Sequence, residues 1–165
     1  MHHPALLPAY NSLAIKFTHG KGVWLWDQQG NQYLDGLSGV AVCALGHAHP
    51  AITAVLKEQA SKLIHCSNLY EIEYQELLAE KLQQLSGLSQ SFFCTSGTGA
   101  NETAIKLCRL YGHQQNIEIP NILVMEKGFH GYSLACLTAC GNRKVQAGFE
   151  PLVQGFVRAP YNDIT

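Results

Sequence analysis

The chain has 165 residues, 47% of them hydrophobic and 14% charged, with a formal net charge of -1, the make-up of a globular chain rather than a disordered one. Its 11 Lys and Arg are scattered among 12 Asp and Glu, so no basic face offers itself to nucleic acid or to an anionic membrane, and a small molecule is the expected partner. No apolar run reaches the roughly 18 residues that span a bilayer, and the opening stretch, broken by Pro4 and Pro8, does not read as a secretory signal.

In chain order, residues 23–27 and Gln32–Leu34 flank Gln28-Gln29-Gly30-Asn31, a composition that suits a hairpin turn. Gly46-His47-Ala48-His49-Pro50 follows as a turn. Pro50 can start a helix in which Ile52, Val55, Leu56, Ala60 and Leu63 share one face. A second amphipathic helix carries Tyr74, Leu77, Leu78, Leu82 and Leu85 and stops near Ser86-Gly87. Residues 91–95 form a short apolar run, too brief for a helix, that breaks into Ser96-Gly97-Thr98-Gly99. A third helical pattern, built on Ala100, Ala104, Leu107, Cys108 and Tyr111, comes next. With Ile122–Met125 as the following strand, strand, Gly turn, helix and strand compose a βαβ unit, and the expected class is α/β with a parallel sheet.

Six cysteines, Cys43, Cys66, Cys94, Cys108, Cys136 and Cys140, contain no C-x-x-C pair and are expected to be free, buried thiols. Free thiols and the lack of a secretory signal point to the cytoplasm. His47 and His49 have no clustered Cys or carboxylate partners and sit in a turn, so no metal is expected. Asp27 and Asp35 read as turn or hairpin residues.

A helix that begins at a glycine turn presents unpaired N–H groups and the positive end of its dipole, which suits an anion. Gly97 allows close approach of the backbone, and the Thr98 hydroxyl adds a donor. Taken alone, the turn also fits plain helix capping by Ser96. The stretch from Ser96 to Leu107 resembles the S-G-x-E-A-N-E-x-A-x-K-x-A-R signature of class III aminotransferases, and Phe129-His130-Gly131 resembles their F-H-G. Similarity extends through Gly20-Lys21-Gly22, Trp26-Asp27, Tyr33-Leu34-Asp35 and the turn at Gly46, so it covers nearly the whole chain. Within the family, the acetylornithine branch is the most similar, through Trp26-Asp27-Gln28-Gln29-Gly30, Ser67-Asn68-Leu69-Tyr70 and Ala104-Ile105-Lys106.

The resemblance implies fold type I of the pyridoxal-phosphate-dependent transferases, with a small-domain segment at 1–68 and the start of the cofactor-binding large domain at 69–165. It implies pyridoxal 5'-phosphate as cofactor, with Gly97, Thr98, Ser96, His130 and Phe129 at its site, Phe129 stacking on the ring. Tyr10, Val40 and Tyr132 are the implied substrate positions; Tyr10 reads equally well as a surface residue. The implied reaction moves an amino group from acetylornithine or a similar ω-amino donor to 2-oxoglutarate, in a homodimer. Other ω-amino donors such as 4-aminobutyrate or diaminobutyrate, and a non-catalytic remnant or interaction module, are the alternatives. A nucleotide in place of the cofactor is disfavoured because the turn lacks the G-x-x-x-x-G-K-[ST] pattern.

Two positions depart from the pattern. Tyr132 stands where the family has an arginine able to grip a carboxylate bidentately, and tyrosine supplies one hydrogen bond and no charge. Gly99 replaces a glutamate in the first helical turn, removing a charge the dipole favours and loosening the helix by roughly 0.5 to 1 kcal/mol. The family's Schiff-base lysine, its ring-nitrogen aspartate and an arginine for the α-carboxylate all lie downstream of F-H-G. Neither Lys106 nor Lys127 matches that lysine. The chain is therefore expected to be an N-terminal portion, inactive alone, with apolar faces at Phe92-Phe93 and Ile122–Met125 left uncovered.

Overall fold

A computed structural model describes residues 5–163 and divides the chain into two units, Met1–Ile72 and Glu73–Thr165. The first unit opens on an antiparallel meander of β1 (Phe17–Lys21), β2 (Trp24–Asp27) and β3 (Gln32–Leu34). The expected hairpin is β2 and β3, paired Trp24 to Leu34 and Trp26 to Gln32. Its turn is set by Gly30 at φ 83° and by the Asp27 carboxylate, whose Oδ1 accepts from the N–H groups of Gln29 and Asn31, both at 2.9 Å. Strand β1 was not legible in the sequence, because Phe17-Thr18-His19-Gly20-Lys21 lacks a clear apolar alternation. The ladder is secured from outside by side chains: His19 stacks on Trp26 with ring centroids 4.9 Å apart, and Phe17 meets Tyr33 edge-on at 5.4 Å.

Helix α1 (Pro50–Lys62) begins at its proline as expected, since a first-turn residue needs no N–H. Before it, the His47 ring binds Asp35 (Nε2 to Oδ2, 2.7 Å), and His47 and Gly22 exchange backbone hydrogen bonds. His47 is thus a clasp between the turn and the meander. No residue of α1 is buried, so its apolar stripe faces outward.

In the second unit, α2 (Glu73–Ser86) likewise buries none of its stripe, while α3 (Gly97–Gln114) buries Ile105 and Gly112. Among the described residues the sheet there is one parallel pair, β4 (Ile122–Met125) beside β5 (Phe156–Ala159), in register Ile122 to Phe156 through Met125 to Ala159. Two short helices, α4 (Leu134–Ala139) and α5 (Arg143–Gln146), make the crossover. Parallel α/β organisation is therefore present, but between different strands from those expected. Residues 91–95 form no strand and have no backbone pairing among the described residues. A strand needs a neighbour to satisfy its N–H and C=O groups, and none stands beside this run. Phe92 is accordingly exposed.

The buried centre belongs to the second unit. Cys136, Leu137, Thr138 and Ala139 of α4 are all buried, with Ile105, Val124 and Cys140 around them. Gln146 is buried below and donates to the carbonyls of Leu137 (3.0 Å), Thr138 (3.2 Å) and Cys140 (2.7 Å). All six cysteines are free, but only Cys136 and Cys140 are buried; Cys43 and Cys66 are half-buried and Cys94 and Cys108 exposed. The expectation of buried thiols fails at those four because the apolar runs that contain them face open surface.

The accessible surface is 14042 Å², against about 8,000 Å² for one compact body of this mass or about 10,000 Å² for two. Leu56, Leu77, Leu78, Phe92 and Leu123 are among the side chains that make up the excess. Among the described residues no helix is long and apolar enough to cross a membrane.

Candidate functional site

The candidate site lies in the second unit, at the start of α3. Ser96 is the N-cap, with an extended backbone and its Oγ accepting from the Gly99 N–H at 3.1 Å. Its carbonyl accepts from the Ala100 N–H at 3.0 Å. The N–H groups of Gly97 and Thr98 are left with no hydrogen-bond partner among the described residues. A methyl group placed on Gly97 would meet nothing within 4 Å, so the space beside the first of these donors is open. Two free N–H groups at the positive end of an 18-residue helix make a candidate seat for an anion.

The loop from Phe129 to Ser133 closes one side of this seat. At Gly131, φ is 127°, and a Cβ there would lie 2.2 Å from Thr98 Oγ1 and 2.8 Å from Thr98 Cβ. Only glycine permits the contact. Two hydrogen bonds join the same segments: Asn101 Nδ2 donates to the His130 carbonyl at 2.8 Å, and Ser133 Oγ donates to Glu102 Oε1. From α4 the Cys136 thiol points at the Thr98 carbonyl, 3.6 Å away. Burial pushes that thiol above its ordinary range.

Phe129 is 68% exposed and meets Tyr132, 67% exposed, edge to face at 5.3 Å. Both rings are open to a ligand. The His130 ring is turned inward, its Nε2 buried without a partner among the described residues, and the His130 backbone N–H donates to Cys140 Sγ at 3.3 Å. Of the sequence-derived residues, Ser96, Gly97, Thr98, Phe129, His130 and Tyr132 are brought together in this unit. Tyr10 and Val40 belong to the first unit, where both are exposed. Val40 lies in a run of four left-handed residues, Ser38 to Ala41, with φ from 51° to 67°, a conformation that is rare for a β-branched side chain.

Asn101 and Glu102 were part of the helical motif but carried no assigned role, and their partners lie 29 and 31 residues away. Nothing in the local pattern announces such pairings. Lys106 is exposed on α3, and Lys127 follows β4 with φ 62°.

The sequence pattern of the family described as Aminotransferase class-III matches residues 7–165. The chain belongs to the class-III aminotransferases. An acetylornithine aminotransferase of Nitrosomonas europaea is 60% identical over 159 residues, which are 96% of this chain and 40% of that protein. Among solved structures, the N-acetylornithine aminotransferase of Stenotrophomonas maltophilia K279a superposes with a TM-score of 0.74 at 33% identity, over 93% of this chain and 37% of that one. The ornithine aminotransferase of Toxoplasma gondii ME49 reaches a TM-score of 0.91 over 96% of this chain and 38% of that one; at 23% identity it bears on the fold alone. This class-III chain thus spans about 40% of the length of the curated relatives it matches.

Proposed function

We propose that the polypeptide carrying this chain is a pyridoxal-phosphate-dependent aminotransferase that moves an amino group from acetylornithine, or a similar ω-amino donor, to 2-oxoglutarate. The observation that carries the reading is the pair of free N–H groups at Gly97 and Thr98 joined to an open aromatic face, Phe129, on the loop that Thr98 touches. A phosphate needs the first and a flat ring needs the second. The 60% identical relative supports the choice of donor.

In this reading Gly97 and Thr98 hold the phosphate through backbone N–H and hydroxyl, with the Ser96 hydroxyl beside them. Phe129 limits the tilt of the ring, and His130 anchors the loop to Cys140. When bound, the cofactor withdraws electrons from the substrate bond to be broken. Tyr132, Tyr10 and Val40 are assigned to the substrate, Tyr132 through a single phenolic hydrogen bond. None of the lysines here is assigned the covalent link to the cofactor, so this stretch contributes a seat and a ring platform and no turnover by itself. We assign residues 1–68 to a small domain and 69–165 to the cofactor domain of a cytoplasmic homodimer; the free thiols and the large uncovered apolar surface support the last two points.

Titration calorimetry with pyridoxal phosphate against ATP tests the seat, with binding expected for the first alone. Mixing the full-length holoenzyme with acetylornithine should bleach its visible absorbance. Tyr132 in place of the family's arginine favours a second donor class, and bleaching by 4-aminobutyrate or diaminobutyrate but not acetylornithine would replace the first choice with it.

A further inference from the structure

We infer that Asn101 and Glu102 are positioning residues that make the phosphate seat and the ring platform one rigid piece. The inference rests on the reading above. Two features of the site must keep a fixed separation if one ligand is to engage both: the free N–H groups at Gly97 and Thr98, and the exposed face of Phe129. The backbone alone does not fix it, because Phe129 lies beyond β4 and a tight turn in which Lys127 has φ 62° and the Gly128 N–H binds the Met125 carbonyl at 3.1 Å.

What ties the loop to the helix is side-chain chemistry from the helix. Asn101 reaches the carbonyl next to Phe129, that of His130 (2.8 Å), and Glu102 takes the hydroxyl of Ser133 on the far side of Gly131. The two ties bracket the point where Gly131 packs on Thr98. Consecutive helix residues point about 100° apart, so the two hold the loop from different sides and resist both sliding and rotation. Neither touches the open face of the seat, so each acts through Phe129 and Thr98. Ligand affinity then depends on them because a loose platform must be ordered when the ligand binds.

The test uses the full-length polypeptide with pyridoxal phosphate as probe. Asn101→Asp replaces the donor by an acceptor facing the His130 carbonyl at nearly constant volume, Ser133→Ala removes the second tie, and Ser133→Thr retains a hydroxyl and serves as the rescue. The first two should raise the Kd for pyridoxal phosphate about ten-fold and weaken the visible circular dichroism of the bound cofactor, which reports how firmly the ring is held. Ser133→Thr should stay near the parent on both. In the cofactor-free protein the same two variants should speed amide exchange across residues 129–133 while β4 and β5 stay protected. Parental Kd and dichroism in Asn101→Asp and Ser133→Ala overturn the inference, as does unchanged exchange in that loop. If the parent itself takes up no pyridoxal phosphate, the functional reading fails and the exchange measurement alone decides the ties. If Asn101→Asp does not fold, Ser133→Ala with its threonine rescue decides.

Discussion

The two units solve the problem of a centre in opposite ways. In the first, the one buried residue among those described is a carboxylate, Asp27, held by Gln29, Asn31 and Tyr33. In the second, the centre is a short helix, α4, sealed on four consecutive residues and stapled by the amide of Gln146. A polar hub fixes local geometry through directed bonds but removes little apolar surface from water, whereas a buried helix does the reverse. The candidate anion seat is built against the second kind of centre, through Cys136 and the Gly131 to Thr98 contact. Substitutions around α4 should therefore have large effects on stability and binding, and the first unit should respond chiefly to pH.

The largest effect is expected from Gly131→Ala. Its Cβ would overlap Thr98 Oγ1 and Cβ, and the φ of 127° is strained for any L side chain. Strain and overlap together cost about 4 kcal/mol, more than a hydroxyl rotation relieves, because Thr98 Cβ is fixed by the helix backbone. Denaturant unfolding of the full-length protein measures this, and a loss under about 1 kcal/mol would show that the loop is not seated on α3. Next is Gln146→Leu, which removes the one amide group that donates to three buried carbonyls. Arg158 still donates to the carbonyls of Thr138 and Cys140, which limits the loss to about 2 kcal/mol. The same unfolding measurement checks it, and a near-neutral result would mean that α4 is held by packing alone.

The local geometry of the candidate seat was largely legible because it is made by neighbouring residues. Ser96, Gly97 and Thr98 are adjacent, and a cap, a glycine and a helical period need no distant partner to be recognised. Pro50 announced α1 in the same way. What the chain did not announce depends on pairing across distance. Residues 91–95 have strand composition but find no neighbour, while Phe156-Val157-Arg158-Ala159, with an arginine in the run, forms β5 because β4 lies alongside. The ties from Asn101 and Glu102, and the three bonds of Gln146, are equally non-local. Helical periodicity also promised buried stripes on α1 and α2; the helices formed, but a stripe is buried only where something covers it.

A smaller effect is expected at the cap. Ser96→Ala removes the acceptor of the Gly99 N–H and should cost about 1 kcal/mol. Because the Ser96 hydroxyl is assigned beside the phosphate and can donate to it while accepting from Gly99, unfolding should report the loss and pyridoxal phosphate affinity should fall modestly with it. An unchanged affinity would leave Ser96 as a helix cap alone.

The mildest and most selective response is to acid, and it separates the two centres. Asp27 is held below the usual carboxylate range chiefly by the Asn31 side chain, with Tyr33 and the N–H groups of Asn31 and Gln29 adding to it against the effect of desolvation. Asp35 is lowered first by the His47 hydrogen bond and then by the N–H groups of Ser38 and Leu37. A carboxyl group whose folded pKa lies below its unfolded value stabilises the fold fully above the unfolded pKa, and that contribution is lost as pH falls through the folded one. The loss therefore belongs below about pH 4, and nothing from these two groups should change between pH 7 and 5. Amide exchange followed by NMR should show Gln29, Asn31, Leu37 and Ser38 losing protection below that point while Leu137 and Cys140 retain theirs. Simultaneous loss in both sets would mean that the units unfold together and that the polar hub has no independent stability. In Asp27→Asn, Gln29 and Asn31 should be less protected already at pH 7, and their further acid response should disappear, leaving only the part that Asp35 controls at Leu37 and Ser38.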